Sequence, residues 1–169
     1  LLMRVLDTYY SIPYLLLALV TVIIFGQSIN IMLGLLALFA WPPFVRVVRS
    51  EVLSLKERDY VHAAKTCGAN GVWIMWKHIL PNVINTIIVI ATLRVGQLIL
   101  AEAILSFLGA GVPPPEPAWG AMVAEGREYL NDAWWISTIP GLAIFILVMS
   151  LNFIGDWFRD RFDPRLRQV

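Results

Sequence analysis

Four apolar stretches, residues 9–26, 29–48, 82–108 and 135–157, dominate this chain. Each approaches the roughly 20 helical residues that cross a bilayer core of about 30 Å. Backbone N–H and C=O groups find no water at that depth, so a lone segment satisfies them as an α-helix. Closed barrels solve the same problem with short strands that alternate apolar and polar residues. The run 142–149, apolar throughout, does not alternate. Composition agrees: of 169 residues, 59% are hydrophobic and 15% charged, where soluble domains hold about 45–50% and about 25%. Too little polar surface remains to coat a soluble globule, and disorder requires low hydrophobicity. The expectation is an all-α polytopic membrane protein, one transmembrane domain over 1–169 with about four spans.

Charge between the stretches sets the expected orientation. Arg46, Arg49, Lys56, Arg58, Lys65 and Lys77 lie between the second and third stretches, and Arg159, Arg161, Arg165 and Arg167 follow the fourth. Segment 109–134 holds Arg127 against Glu116, Glu125, Glu128 and Asp132. The positive-inside rule places loop 49–81 and both ends of this segment in the cytoplasm, and loop 109–134 outside. Trp119, Trp134 and Trp135 would mark the outer interface and Trp157 the inner one, the depth amphipathic indoles prefer. No basic n-region or cleavage site opens the chain, and Leu1 rather than Met begins it, so further residues are expected upstream.

Loop 49–81 is long for a plain connector. Ser54 followed by Glu57 reads as a capping-box start. Tyr60, Ala63, Ala64 and Cys67 then share one helical face, and Gly68 reads as its stop. Asn70 is positioned to cap a second short helix carrying Trp73, Trp76 and Leu80, which Pro81 is expected to end. Small residues on an exposed face suit close approach of a partner. An amphipathic hairpin lying on the bilayer, with both tryptophans among headgroups, is an equal reading of the same residues.

In the third stretch, Arg94 and Glu102 are ionisable groups at bilayer depth, which usually face a cavity or a partner. Eight helical positions leave them about 80° apart around the axis and about 12 Å along it, too far for a direct ion pair. With Gln97 they form a candidate translocation path for zwitterionic cargo. The competing reading puts Glu102 near the outer interface and pairs Arg94 with a neighbouring helix. Pro42 and Pro43 should break the second span, either as a bend point or as its exit. Segment 122–130 reads as a short surface helix within an outer loop that otherwise connects two spans.

Several chemistries lack their residues. There is no GxxxxGK(S/T) to hold nucleotide phosphates, and no HExxH or Cys/His cluster for a metal. GxSxG is missing as well. A single Cys67 permits no internal disulfide, and net charge +1 gives no basic field for nucleic acid. No catalytic, cofactor or metal site is therefore expected in this chain.

The run His62-Ala63-Ala64, with Gly68 and Leu80-Pro81 at their spacing, resembles the EAA loop of permease subunits from binding-protein-dependent ABC importers. Segments 58–64 and 78–82 are similar to the oligopeptide/dipeptide/nickel branch. Leu105-Ser106-Phe107-Leu108-Gly109 with Pro114-Pro115 and Trp119-Gly120, then Gly155-Asp156-Trp157-Phe158-Arg159-Asp160 with Asp163-Pro164-Arg165, resemble its C-type subunit. His62 departs from the Glu that the loop's name implies. Family members also carry about two further spans upstream.

The resemblance implies a type I importer permease fold in the bacterial inner membrane. It implies that the loop is a coupling helix seated in a cytoplasmic ATPase subunit that binds ATP and Mg. Arg58, Asp59, Tyr60, Ala63, Ala64, Lys65, Gly68, Leu80 and Pro81 would carry that contact. Other implied partners are a second homologous permease, an extracytoplasmic substrate-binding protein and membrane lipid. Cargo would be di- or oligopeptides, or nickel. An ion-gradient-driven transporter or channel subunit is the alternative, distinguished by uptake that survives ATP depletion.

Overall fold

Pro13 divides the first apolar stretch. In the computed structural model, which describes residues 2–162, α1 (Leu2–Tyr10) and α2 (Tyr14–Phe25) meet at a bend of 76°. The residue before a proline is pushed out of helical conformation, which is why the chain turns at residues 11–13. The expected span over 9–26 is corrected accordingly. With 12 residues, α2 rises about 18 Å, short of a core of about 30 Å, and the stretch reaches spanning length only as a bent pair with α1.

Helix α1 buries Leu6 and exposes Arg4, Asp7 and Thr8. Asp7 pairs with Arg46 at 2.9 Å, and the Arg46 guanidinium stacks 4.4 Å from the Tyr10 ring centroid. Tyr9 packs against Phe39 and Trp41. These contacts dock α1 on the junction of α3 (Ile29–Ala40) and α4 (Pro42–Lys56). Pro42 and Pro43 begin α4, where a missing N–H is tolerated, so the interruption is confined to Trp41. Together α3 and α4 make one apolar rod, Ile29–Lys56, which continues past the expected boundary at 48.

Two short helices follow, α5 (Asp59–Thr66) and α6 (Gly71–Ile74). A π-helical turn, Met75–Ile79, joins α6 directly to α7 (Leu80–Phe107). Pro81 does not end a helix, contrary to expectation: Gly71–Phe107 is a single rod of 37 residues. Its ring would clash with the carbonyl of the preceding turn in a regular α-helix, and the wider π turn upstream accommodates it. After a loop come α8 (Trp119–Gly126), a 3-10 turn at Arg127–Tyr129, and α9 (Trp135–Phe162), which holds Pro140 inside it. No strand occurs among the described residues. Arg159 and Arg161 fall in the last turn of α9, while Arg165, Arg167 and the Asp163-Pro164-Arg165 motif lie outside the described residues.

Small residues set the helix contacts. A Cβ on Gly155 of α9 would come 2.9 Å from Leu93 Cδ2 of α7, and one on Gly96 of α7 would come 3.1 Å from Asn152 Oδ1. Lipid supplies no hydrophobic force between helices, so close backbone approach is what lets dispersion hold them. Two apolar clusters result. Ala18, Leu35, Leu105 and Ala110 occupy one end, where the Gln27 side-chain amide donates to the Gly109 carbonyl. Val61, Ile74, Ile79 and Val83 occupy the other, packed by Val48, Val52 and Leu55 of α4. Elsewhere Ile23, Phe25, Phe145, Ile146 and Phe153 remain exposed, as faces meant for lipid or other subunits would be.

Candidate functional site

The second cluster carries an elbow made of α5 and α6. Ser54 and Glu57 do not form the expected capping box: Ser54 lies inside α4, and Arg58 caps α5 without a side-chain bond. The apolar face Val48, Val52, Leu55 keeps packing to the end of α4, and that burial overrides the local start signal. Asp59 in the first turn of α5 and Lys65 in the last complement its dipole.

Gly68 closes α5. Its φ of +80° is left-handed, a conformation that costs other residues a Cβ clash. The Gly68 N–H donates to the Lys65 carbonyl at 2.9 Å, and the Ala69 N–H to the Ala64 carbonyl at 3.0 Å. That pair of bonds is a Schellman cap. Asn70 then accepts from the Val72 N–H at 3.3 Å and opens α6. Two caps back to back fix the angle between the helices.

The concave side of the elbow is an open pocket of about 690 Å³ lined by Tyr60, Ala63, Ala64, Cys67, Gly68, Ala69, Asn70, Trp73 and His78. Tyr60, Ala63, Ala64 and Cys67, expected to share one helical face, and Gly68, expected to stop it, fall together on it. Arg58, Asp59 and Lys65 are exposed but do not line it, and neither do Leu80 and Pro81. His62 is also off the pocket, its Nε2 3.8 Å from Glu57 Oε2.

His78 is a lining residue that the helical-face reading of the sequence does not include. Five positions in an α-helix separate side chains by about 140° around the axis, yet the Trp73 and His78 rings are 5.1 Å apart. The π turn between them adds the residue that brings both to one face. His78 also lies 5.7 Å from the Tyr60 ring, so it bridges α5 to the foot of the long rod. No residue-type pattern signals a π turn, and only the neighbouring Pro81 hinted at a departure from regular helix.

The second candidate set is not one group. Arg94 Nη1 donates to Gln97 Oε1 at 2.5 Å. Glu102 instead accepts from the Ser106 hydroxyl and lines a 260 Å³ pocket with Ile99, Ala103, Val112 and Trp119. No Arg94–Glu102 ion pair occurs, in keeping with their angular separation. Ser106 lies four residues after Glu102, the helical spacing that brings side chains together. Among the described residues no cluster of His, Cys, Asp or Glu suits a metal.

With this geometry in place, comparison with known proteins is direct. Residues 1–168 match the family described as binding-protein-dependent transport system inner membrane component. The chain belongs to this family. Its relatives among curated proteins include a putative peptide transport system permease protein of Brucella suis, 45% identical over 167 residues. The dipeptide transport system permease protein of Escherichia coli is 44% identical over 166 residues, and the glutathione transport system permease protein of Shigella flexneri 39% over 167. These alignments cover 98–99% of this chain and 55–56% of each relative, so the chain spans about half the length of the curated relatives it matches. This permease is thus a mostly helical, multi-pass inner-membrane protein, and its relatives are named as transport system permease proteins. Its elbow is a rigid, capped projection at the end of two long apolar rods.

Proposed function

We propose that this permease forms part of the translocation pathway of an ATP-driven importer, and that its elbow is where a separate cytoplasmic ATPase subunit engages. The observation that carries the reading is the single concave surface made by Tyr60, Ala63, Ala64, Gly68, Trp73 and His78. Small side chains floor it and aromatic rings wall it, a shape that admits a partner's side chain or helix end. The elbow is continuous with α7 through Met75–Ile79, so displacement at the pocket moves a membrane rod without a slack linker. ATP and Mg belong to the partner, for this chain holds no phosphate-cradling motif.

On this reading the elbow and both ends of the segment are cytoplasmic, and loop 109–134 is outside, where a substrate-loaded binding protein docks. A second homologous permease covers the exposed apolar helix faces. Short peptides are the favoured cargo, since relatives carry peptide, dipeptide and glutathione names; nickel has no such support. Arg94 and Gln97 are the pathway residues we favour.

The test is co-purification of the full-length protein with its ATPase. Gly68→Arg fills the pocket with a charged side chain and should abolish the complex while leaving membrane insertion intact. Recovery of ATPase at the normal yield would overturn the coupling role. Peptide uptake that persists after ATP depletion and follows an ion gradient would overturn the importer reading itself.

A further inference from the structure

At the end of α7 opposite the elbow, one buried hydroxyl ties the helix to the turn that follows it. Ser106 is 4% exposed. Its hydroxyl donates to Glu102 Oε1 at 2.5 Å and accepts from the Val112 N–H at 3.2 Å. Between them the chain reverses: the Gly109 and Ala110 N–H groups donate to the Ser106 and Leu105 carbonyls at 3.1 and 2.8 Å. Gly109 has φ +76°. A Cβ on Gly111 would sit 2.0 Å from Ser106 Oγ, so the turn lies directly on the hydroxyl. Past the turn, loop 113–118 enters α8, whose Gly120 rests on the Ala103 carbonyl.

We propose that Glu102 and Ser106 form a latch that pins the turn 109–112 to the end of α7 and so positions loop 113–118 and α8 for the substrate receptor. The receptor half of this statement rests on the proposed function; the latch itself does not. A serine hydroxyl has one proton and two lone pairs. It can hold the Val112 N–H in a fixed direction only while its own proton is committed elsewhere, and Glu102 is the acceptor that commits it. Glu102 therefore acts through Ser106 as a positioning residue. Its role requires an oxygen acceptor, not a negative charge, which separates it from a charge that meets cargo in the pathway.

The test uses the full-length transporter with its partner subunits in nanodiscs, and reads two quantities. One is amide exchange of the peptide covering 107–118. The other is the receptor concentration that half-saturates ATP hydrolysis. Ser106→Ala and Glu102→Ala should speed exchange at Val112 and raise half-saturation about tenfold, the scale of one lost buried hydrogen bond. Glu102→Gln keeps the acceptor and should stay within about twofold of wild type in both. Should Glu102→Ala fail to assemble, Ser106→Ala and Glu102→Gln still decide. Unchanged exchange in Ser106→Ala overturns the latch, and Glu102→Gln impaired as badly as Glu102→Ala shows that charge is what counts. Faster exchange with an unchanged receptor response overturns the positioning role. A wild-type complex that ignores its receptor contradicts the proposed function, while the exchange readout still judges the latch.

Discussion

The Tyr9 hydroxyl donates to the Leu38 carbonyl at 3.0 Å. That carbonyl is the one Pro42 leaves without an i→i−4 partner, because proline has no N–H to give. A side chain from α1 thus repairs the backbone of the next rod at its weakest point, beside the Asp7–Arg46 pair. Removing the hydroxyl with Tyr9→Phe should cost about 1 kcal/mol. Pro42→Ala restores the missing donor, so Tyr9→Phe should cost less in that background. Thermal unfolding of the four members of this double-mutant cycle in detergent measures the coupling; additive losses would show that Tyr9 and Pro42 act independently.

Gly120 tests the wedge of α8 between α7 and α9. A Cβ there would lie 2.1 Å from the Ala103 carbonyl oxygen, and backbone cannot step aside as a flexible side chain can. Gly120→Ala should destabilise by about 1–3 kcal/mol, the usual cost of overpacking, seen as a lower melting temperature. Gly141→Ala, where a Cβ meets nothing within 4 Å, is the matched control and should melt with the wild type.

Gly68 separates backbone strain from surface contact. Nothing lies within 4 Å of a Cβ at this position, but φ is +80°. Gly68→Ala should therefore cost about 1–2 kcal/mol through the left-handed backbone, without filling the pocket. Gly68→Asn tolerates that conformation better and should lose less. Both should still co-purify with the ATPase, unlike Gly68→Arg. Loss of the complex with Gly68→Ala at a normal melting temperature would place the surface contact on the bare glycine backbone.

Arg94 costs about 2.5–3.5 kcal/mol or more to hold at bilayer depth on insertion scales, and its hydrogen-bond partner is Gln97. Arg94→Leu should insert at least as well as wild type and yet cut peptide uptake about tenfold, as loss of one charged contact would. Uptake measured at matched expression decides. Unchanged transport would take Arg94 and Gln97 out of the pathway.

How much of this could be read from residues alone follows from the range of each interaction. Long apolar runs gave away the rods, and the stop at Gly68 and cap at Asn70 were legible because both depend on local backbone chemistry. Signals that compete with burial misled. Ser54 and Glu57 promised a helix start, but Val48, Val52 and Leu55 keep α4 going into the cluster around Val61 and Val83. Pro81 promised an end, but a π turn absorbed it. Pro13 lies inside the expected first span, and its effect on the preceding residue turns the chain there. At the site, Tyr60, Ala63, Ala64 and Gly68 share a pocket because one α-helical face carries them to its cap. His78 joins them through a π turn that no periodicity announces. Arg94, Gln97 and Glu102 read as one polar set in the sequence, whereas the structure keeps Arg94 with Gln97 and joins Glu102 to Ser106.

Cys67 offers the most direct measurement, being this chain's one cysteine, exposed and on the pocket wall. Inside-out membrane vesicles carrying the full-length protein can be treated with a membrane-impermeant maleimide, with and without the ATPase, and the Cys67 peptide quantified by mass spectrometry. Labelling should be rapid in the stripped vesicles and strongly suppressed once the ATPase is restored. Labelling only in vesicles of the opposite orientation, or a rate indifferent to the ATPase, would contradict it.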